Sequence, residues 1–135
     1  MAKAFKFELV SPERLLVSED VEAVAIPGSE GDMTVMAEHA PTMTALRPGV
    51  VTVTRPGGAS EGYVVFGGFV DILPDACTIL AVSAVRVADI NRSDIEQRIR
   101  IAREDVNDAN DHHARSKAEE YLHQLTTLHG AILPA

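Results

Sequence analysis

The hydrophobic periodicity of the chain changes near Asp89, and this change constrains the fold more than any other feature. Before Asp89, short runs rich in valine and threonine are separated by turn pairs at near-regular intervals. After it, apolar residues recur every three or four positions. The first pattern is typical of an all-β sandwich or barrel and the second of amphipathic helices. We therefore expect an α+β fold, with an antiparallel β-sandwich over residues 1–88 and a two-helix antiparallel hairpin over residues 89–135.

Turn residues divide the first half into candidate strands. The turn pairs are Pro27-Gly28, Pro48-Gly49, Pro56-Gly57-Gly58 and Pro74-Asp75. The runs at residues 50–54 and 63–66 flank one of them and predict a hairpin. Two adjacent glycines, Gly67 and Gly68, indicate a bulge or a close strand crossing where a side chain would not fit. Phosphate binding is the alternative for this pair, but no helix start follows it.

The second half predicts two helices joined by a short turn. The first has Ile95, Ile99, Ala102 and Val106 on one face, with Asn91 or Ser93 as its cap. The polar residues 107–111 predict the turn. We expect the second helix to stop at Gly130. Its predicted apolar face consists of Ala114, Ala118, Tyr121, Leu122, Leu125 and Leu128.

Charge and composition exclude several partners. The formal net charge is −8, and the chain has no tryptophan and few aromatic residues. We expect no nucleic-acid partner, because phosphate recognition needs clustered Lys and Arg. Basic protein surfaces are better partners for a chain with this negative charge. The N-terminus has no long apolar core and no run approaches a membrane span, so we expect no signal peptide and membrane association only through a partner. The single cysteine, Cys77, predicts a half-buried strand thiol without a reactive role.

No group of residues has the spacing of a catalytic site. Ser29, Asp32 and His39 lie close in sequence, but Ser29 has no nucleophile-elbow motif. We expect His39, which lies between Glu38 and Ala40, to hydrogen-bond within its own loop rather than to act as a general base. Phosphate-binding glycine motifs are also absent from the sequence. These patterns predict a non-catalytic binding module.

A second polar cluster near the predicted helical turn resembles a metal site at first sight. It contains Asp108, Asp111, His112 and His113. The two adjacent histidines would diverge by about 100° on a helix, so they cannot easily share one ion. Asp108 and His112 alone are two ligands, which is too few. We expect no metal and no cofactor. A small enzyme or metal protein that uses His39 or this turn is the alternative from a different functional class.

The order of several fragments resembles the epsilon subunits of bacterial F-type ATP synthases. The fragments are FKFELVSPERLLVSEDVEAVAIPGSEGDM, HAP, LRPGVV, VFGGFVDI and LAVSAVRVADI, followed by the helical pattern. This resemblance covers essentially the whole chain. It implies a non-catalytic rotor subunit of the central stalk that binds the gamma subunit and the c-ring, below the alpha/beta head, and couples proton flow to ATP synthesis. It also implies an alternative, in which the hairpin extends and inhibits ATP hydrolysis.

The resemblance assigns a role to two loop segments. It implies that both lie at the end of the sandwich that faces the c-ring, where Glu30 and Asp32 would meet polar or basic loops of the ring. The first segment, the acidic tip, consists of Ser29, Glu30, Gly31 and Asp32. The second, the His39 segment, consists of His39, Ala40 and Pro41. The gamma subunit is expected on a neighbouring face of the sandwich, and the lack of a transit peptide favours a bacterial inner-membrane complex with this subunit peripheral on its cytoplasmic side.

Two departures from the family's pattern bear on regulation. Some epsilon subunits bind ATP through a motif of the form [IL]-D-x-x-R-A, which corresponds here to Ile90, Asn91, Asp94 and Ile95 at its defined positions. An acid in place of the phosphate-binding arginine reverses the local charge, so we expect no ATP binding. The second helix is nearly uncharged overall and its last residues, 128–135, are apolar. We therefore expect a hairpin that stays folded on the sandwich and inhibits weakly or not at all.

Overall fold

The computed structural model describes residues 3–132 and divides into two compact units, the first ending at Ala88 and the second beginning at Asp89. Ten strands form the first unit within the described residues. They are β1 (Phe5–Val10), β2 (Leu15–Val21), β3 (Ala23–Gly28), β4 (Gly31–Val35), β5 (Thr42–Leu46), β6 (Gly49–Thr54), β7 (Ser60–Val65), β8 (Gly68–Leu73), β9 (Ala76–Ala81) and β10 (Ala84–Arg86). A short 3-10 turn, Val87–Asp89, follows β10.

The strands pair in the order β10-β7-β6-β3-β5-β8-β9-β1-β2, with β4 beside β3. Strand β3 connects two groups, because its first half pairs with β6 while Gly28 at its end pairs with Leu46 of β5. Side chains from both groups meet in one hydrophobic cluster, so the two faces pack together as a sandwich. The predicted fold class is confirmed. One pair departs from the antiparallel pattern, since β1 and β9 run parallel.

Alternation along the strands places the core. In β1, Phe5, Phe7 and Leu9 are buried while Lys6 is exposed, as expected for a strand with one face on the core. Each fully buried side chain of this size stabilises the fold by about 1.5–3 kcal/mol. Cys77 lies in the same cluster and is fully buried, so the prediction of a half-buried thiol was wrong. It lies opposite Phe7 on β1 and Ile72 on β8.

Two local predictions in the sandwich are confirmed. Strands β6 and β7 form the expected hairpin, in register from Gly49 opposite Val65 to Thr54 opposite Ser60. Gly68 lies at a close strand approach, where an added Cβ would meet the backbone of Leu80 on β9. Its φ of +136° is also one that side chains rarely adopt. Gly68 therefore serves close packing of β8 against β9.

The second unit contains helices α1 (Arg92–Asp108) and α2 (His112–Ile132). Asn91 caps α1, where its side-chain oxygen accepts a hydrogen bond from the Ser93 amide at 2.9 Å. The helices run antiparallel, because Glu96 near the start of α1 lies beside His129 near the end of α2. The buried residues of this unit are Ile95, Ile99, Ala102, Leu125 and Leu128.

Three features of the helices differ from expectation. Helix α1 continues to Asp108, so the turn is confined to residues 109–111. Helix α2 does not stop at Gly130 but continues to Ile132, and one glycine within a helix costs only about 1 kcal/mol. Ala114 and Tyr121 are exposed rather than on the packed face. The predicted apolar end of the chain lies partly in residues 133–135, outside the described residues.

Candidate docking surface of the sandwich

The acidic tip is the turn of a tight hairpin between β3 and β4. Gly28 pairs with Gly31 across the hairpin, so Ser29 and Glu30 form a two-residue turn, and both are exposed. Gly31 has a φ of +143°, which glycine adopts readily and other residues do not. The sequence PGSEG thus encodes a sharp corner that projects Glu30 from the sandwich.

The neighbouring β5–β6 turn holds this corner through the backbone. The Ser29 amide donates to the carbonyl of Ala45 at 2.9 Å, and the Arg47 amide donates to the carbonyl of Pro27 at 3.1 Å. These two bonds run in opposite directions between the two turns. They fix the tip against the end of β5, which reduces the entropy that docking would otherwise lose.

The Arg47 side chain adds a second connection. Its guanidinium donates to the carbonyl of Gly28 and to the carboxylate of Asp32, one group on each side of the tip. The Asp32 side chain is 80% exposed, so the pair lies at the surface. Asp32 is therefore partly neutralised, and Glu30 carries the unshared negative charge of the tip.

The His39 segment lies in the loop between β4 and β5. The His39 ring donates from Nδ1 to the carbonyl of Ala40 at 2.7 Å, which confirms a histidine bonded within its own loop. Ala40 also accepts from the Thr42 hydroxyl at 3.0 Å, and Ala40 and Pro41 are exposed. The Glu38 amide donates to the carbonyl of Pro74 at 2.6 Å, which ties the loop to the β8–β9 turn.

The structure places the two segments at opposite ends of β4. This strand pairs with β3 alone among the described residues, so it forms an edge of the sandwich. Its outward positions, Asp32 and Thr34, are exposed, and so is Met36 just after the strand, so exposed side chains extend from the acidic tip to the loop that holds the His39 segment. Sequence reasoning missed Thr34 and Met36, although their alternation with Met33 and Val35 could have indicated them. The acidic tip, the exposed residues Thr34 and Met36, and the His39 segment form one continuous strip, which we call the β4 edge.

An exposed apolar row crosses the outer face of the other half of the sandwich. Five residues on five adjacent strands lie opposite one another: Ala45, Phe69, Leu80, Val10 and Leu15. Phe69, Leu80 and Leu15 are 59%, 56% and 53% exposed. Contiguous apolar surface of this kind is a candidate interaction site. The sequence did not reveal this apolar row, because alternation shows that Phe69 and Val70 face opposite ways but not which of them faces the core.

Charged side chains elsewhere on the sandwich form a closed network. Arg55 donates from Nε to Glu19 and from Nη2 to Glu61, each at 2.8 Å, and Arg86 lies 3.3 Å from Glu61. The hydrogen bond from Arg55 lowers the pKa of Glu61, with the charge of Arg86 adding to the effect. Burial raises the pKa of the neighbouring Tyr63. The network connects edge strand β2 to β7 and has a structural role.

The residues of the degenerate ATP motif serve the start of α1. Asn91 is occupied in capping, as its oxygen accepts from both the amide and the hydroxyl of Ser93. Ile95 is buried between the helices, and Asp94 is exposed in the first turn. Ile90 precedes the cap and is half-buried. The expectation of no ATP binding stays a prediction.

The remaining candidates for chemistry do not converge. Asp111 accepts a hydrogen bond from the Ala114 amide at 2.7 Å, so its carboxylate caps the N-terminus of α2. His112 and His113 in the first turn are exposed. Within residues 3–132, no three His, Cys, Asp or Glu side chains form a group that could hold a metal ion. Burial raises the pKa of Cys77 to about 12, which disfavours the reactive thiolate form. Neither described helix has the length and apolarity needed to cross a membrane.

Comparisons with known proteins give consistent results over the whole chain. Residues 4–87 match the family model for the beta-sandwich domain of the ATP synthase delta/epsilon chain. The ATP synthase epsilon chain of Mesorhizobium japonicum is 67% identical, and that of Chelativorans sp. is 63% identical, each over 135 residues and 100% of both chains.

Solved structures show the same fold. A chain in the cryo-EM structure of Euglena gracilis mitochondrial ATP synthase, OSCP/F1/c-ring, aligns with a TM-score of 0.74 and 28% identity, covering 96% of this chain and 81% of that one. A chain in the central stalk/c-ring structure of Tetrahymena thermophila mitochondrial ATP synthase aligns with a TM-score of 0.67. The second match is 12% identical, covers 93% of this chain and 96% of that one, and supports the fold alone.

Proposed function

The chain belongs to the family of ATP synthase epsilon chains, and on that premise we propose that it is a non-catalytic rotor subunit of the central stalk. In this role it links the gamma subunit to the c-ring and couples proton flow to ATP synthesis in the alpha/beta head. The observation that carries the proposal is the 67% identity to a named epsilon chain over the full length of both proteins. The second support is the set of tight surface turns, which hydrogen bonds hold to one another.

The β4 edge is the proposed contact with the c-ring. Its acidic tip presents Glu30 on a corner that backbone hydrogen bonds hold in place. The His39 segment at the other end of β4 is likewise tied to a neighbouring turn through Glu38. A rotor contact has to resist slipping, and a stiff surface transmits torque without losing its register. Carboxylates at such a rim fix orientation and speed association with a basic partner.

The apolar row is the proposed contact with the gamma subunit. Interfaces that persist through the life of a complex are more hydrophobic than transient ones. Phe69 and Leu80 face each other at the centre of the row, and the polar residues Asp71 and Thr78 follow on the same strands. This arrangement gives an apolar centre with a polar border, as in stable protein interfaces.

The proposal also assigns a location and excludes ligands. The subunit is peripheral, on the cytoplasmic side of a bacterial inner membrane, and contacts the membrane sector only through the complex. It uses no cofactor or metal. ATP binding is not expected, because Asp94 stands where the family's motif has arginine. Calorimetric titration of the isolated chain with ATP tests this point, and micromolar binding would contradict it.

Restoration of coupling tests the main proposal. Membrane vesicles that carry the ATP synthase without this subunit are supplied with the full chain, and ATP-driven proton pumping is compared with ATP hydrolysis. We expect the full chain to raise the number of protons pumped per ATP hydrolysed. If the chain binds the complex but leaves this ratio unchanged, a role in coupling is wrong.

The regulatory alternative predicts a different result. If the hairpin extends and blocks hydrolysis, the full chain should suppress ATP hydrolysis by the alpha/beta/gamma head, and a chain that ends at Ala88 should not. The rotor proposal expects equal rates with both forms while both bind gamma. Binding to gamma is measured in parallel, so that a truncated chain that fails to fold is recognised.

A further inference from the structure

We propose that Arg47 is a positioning residue for the acidic tip: it holds Asp32 beside the β5–β6 turn and leaves Glu30 as the carboxylate that meets a cationic side chain of the ring. The inference rests on the proposed function, since it divides roles within the surface that we assign to the c-ring. It gives the two carboxylates of the tip different tasks, which the sequence does not distinguish.

The contacts of Arg47 support a positioning role. Its two terminal nitrogens donate to the carbonyl of Gly28, at the end of β3, and to the carboxylate of Asp32, at the start of β4. One side chain therefore bridges both strands of the hairpin below its turn. The Arg47 side chain is 30% exposed, so most of it packs against the sandwich while its donors reach the tip. An ion pair this exposed adds little stability, so its effect is on orientation.

The geometry of the guanidinium favours arginine over lysine at this position. Its planar fork can donate to two acceptors that lie side by side, whereas a lysine ammonium is a point charge at the end of a flexible chain. The backbone of Arg47 is itself fixed, because its amide donates to Pro27 on β3 at 3.1 Å. Main chain and side chain of one residue thus hold the same hairpin.

Glu30 differs from Asp32 in its surroundings. It is exposed on the two-residue turn, and no hydrogen bond or ion pair engages its carboxylate among the described residues 3–132. A carboxylate that projects from a stiff corner loses little entropy on pairing with a cation. The partner we infer is therefore a basic side chain in a ring loop, contacted by Glu30 and not by Asp32.

The test measures how much the ring adds to binding. The full-length chain, labelled at its N-terminus, is titrated against gamma alone and against the gamma–c-ring complex, and the ratio of the two Kd values is the ring contribution. We expect Arg47→Met to reduce the ring contribution about tenfold and Arg47→Lys to reduce it less. Arg100→Gln, a change of similar size at an exposed site on α1, is the matched control and should leave the ratio unchanged.

A model based on net charge predicts the opposite sign. Arg47→Met removes a positive charge beside the acidic tip, which would strengthen binding to a cationic loop if charge alone mattered. Positioning predicts weaker binding, and it predicts that Arg47→Met combined with Asp32→Asn loses no more than Arg47→Met alone. Glu30→Gln should reduce both the ring contribution and its dependence on salt concentration.

The outcomes separate the two proposals. An Arg47→Met chain that binds the ring as tightly as the wild type, or more tightly, overturns the positioning role and leaves the proposed function intact. A wild-type chain for which the ring adds nothing to gamma binding overturns the proposed ring contact itself. Thermal unfolding of each isolated variant accompanies the titrations, and we expect Arg47→Met to remain folded, because methionine keeps most of the packed side-chain stem and the Asp32 carboxylate is 80% exposed.

Discussion

At the scale of single residues, two kinds of position contribute to the stability of the sandwich. Some positions exclude a side chain, as at Gly68, where backbone from β9 occupies the space a Cβ would need. Others pair charges across strands, as Arg55 does with Glu19 and Glu61. The first kind acts through steric exclusion, which is insensitive to solvent conditions. The second depends on ionisation and therefore on pH.

Replacing Gly68 by alanine should destabilise the sandwich strongly. The added Cβ would lie 2.9 Å from the Cα of Ala81 and closer still to backbone of Leu80, and the φ of +136° is strained for alanine. We expect a loss of about 2 kcal/mol or more in the free energy of unfolding, measured by urea denaturation. Gly58→Ala is the control, because its φ of +96° is also unfavourable but its surroundings are open. An equal loss in both variants would contradict the role of steric exclusion.

The pKa of Glu61 predicts a change in stability in acid. Its hydrogen bond from Arg55 lowers this pKa below the ordinary value of 4.5. A group with a lowered folded-state pKa stabilises the fold above its unfolded-state value, and that stabilisation is lost as the pH falls through the folded-state value. We therefore expect Glu61→Gln to make the free energy of unfolding fall less steeply from about pH 5 to about pH 3.

Arg55→Met provides the comparison for this acid effect. Without its main donor, the pKa of Glu61 should rise towards its ordinary value. The free energy of unfolding of this variant should therefore also depend less steeply on pH. The double variant should be no shallower than Glu61→Gln alone. If Glu61→Gln unfolds with the same pH profile as the wild type, the carboxylate does not contribute in the way its contacts indicate.

At the scale of elements, turns and caps fix where each strand and helix begins. The acidic tip gains its shape from two glycines and from hydrogen bonds to a second turn, and α1 gains its start from Asn91. Neither feature depends on a large buried surface. Such local hydrogen bonds fix the direction in which the chain enters the next strand or helix.

Removing the cap of α1 should loosen the first turn of the hairpin. Asn91→Ala deletes the acceptor of the Ser93 amide, and we expect a loss of about 1 kcal/mol in helix stability. Hydrogen exchange at the amides of residues 93–95 should accelerate. Asn91→Asp keeps an acceptor and places a negative charge at the helix start, so it should exchange at close to the wild-type rate. Faster exchange in both variants would exclude capping as the cause.

At the scale of the whole molecule, the chain consists of two units with different kinds of surface. The sandwich has an acidic edge along β4 and an apolar row on another face, and the helical unit buries a small core of its own. Two distinct surfaces on one stiff body suit a protein that connects two partners. This is the molecular basis for the proposed rotor role.

A charge placed in the apolar row should disrupt gamma binding without unfolding the chain. Phe69 is 59% exposed, so Phe69→Glu buries no new charge in the isolated protein. In an interface the same carboxylate would lose its hydration, and we expect the Kd for gamma to rise at least about tenfold. Ile101→Glu, at a similarly exposed position on α1, is the control. Unchanged affinity of the Phe69→Glu chain would mean that gamma binds another face.

The sequence alone determined the features that depend on neighbours along the chain. The two periodicities, the β6–β7 hairpin and the glycine pair follow from local backbone preferences, so they could be predicted, while the cap of α1 was narrowed to Asn91 or Ser93. The end of α2 could not, because the penalty for a single glycine such as Gly130, about 1 kcal/mol, is too small to fix where a helix ends.

Only the tertiary structure decided the surfaces. Alternation in β8 shows that Phe69 and Val70 face opposite ways, but not which of them faces the core, so the apolar row was missed. The parallel pairing of β1 with β9 and the pairing of Arg47 with Asp32 join residues from separate strands and turns. Such contacts depend on how the strands close into a sandwich, and local sequence preferences carry no information about that closure.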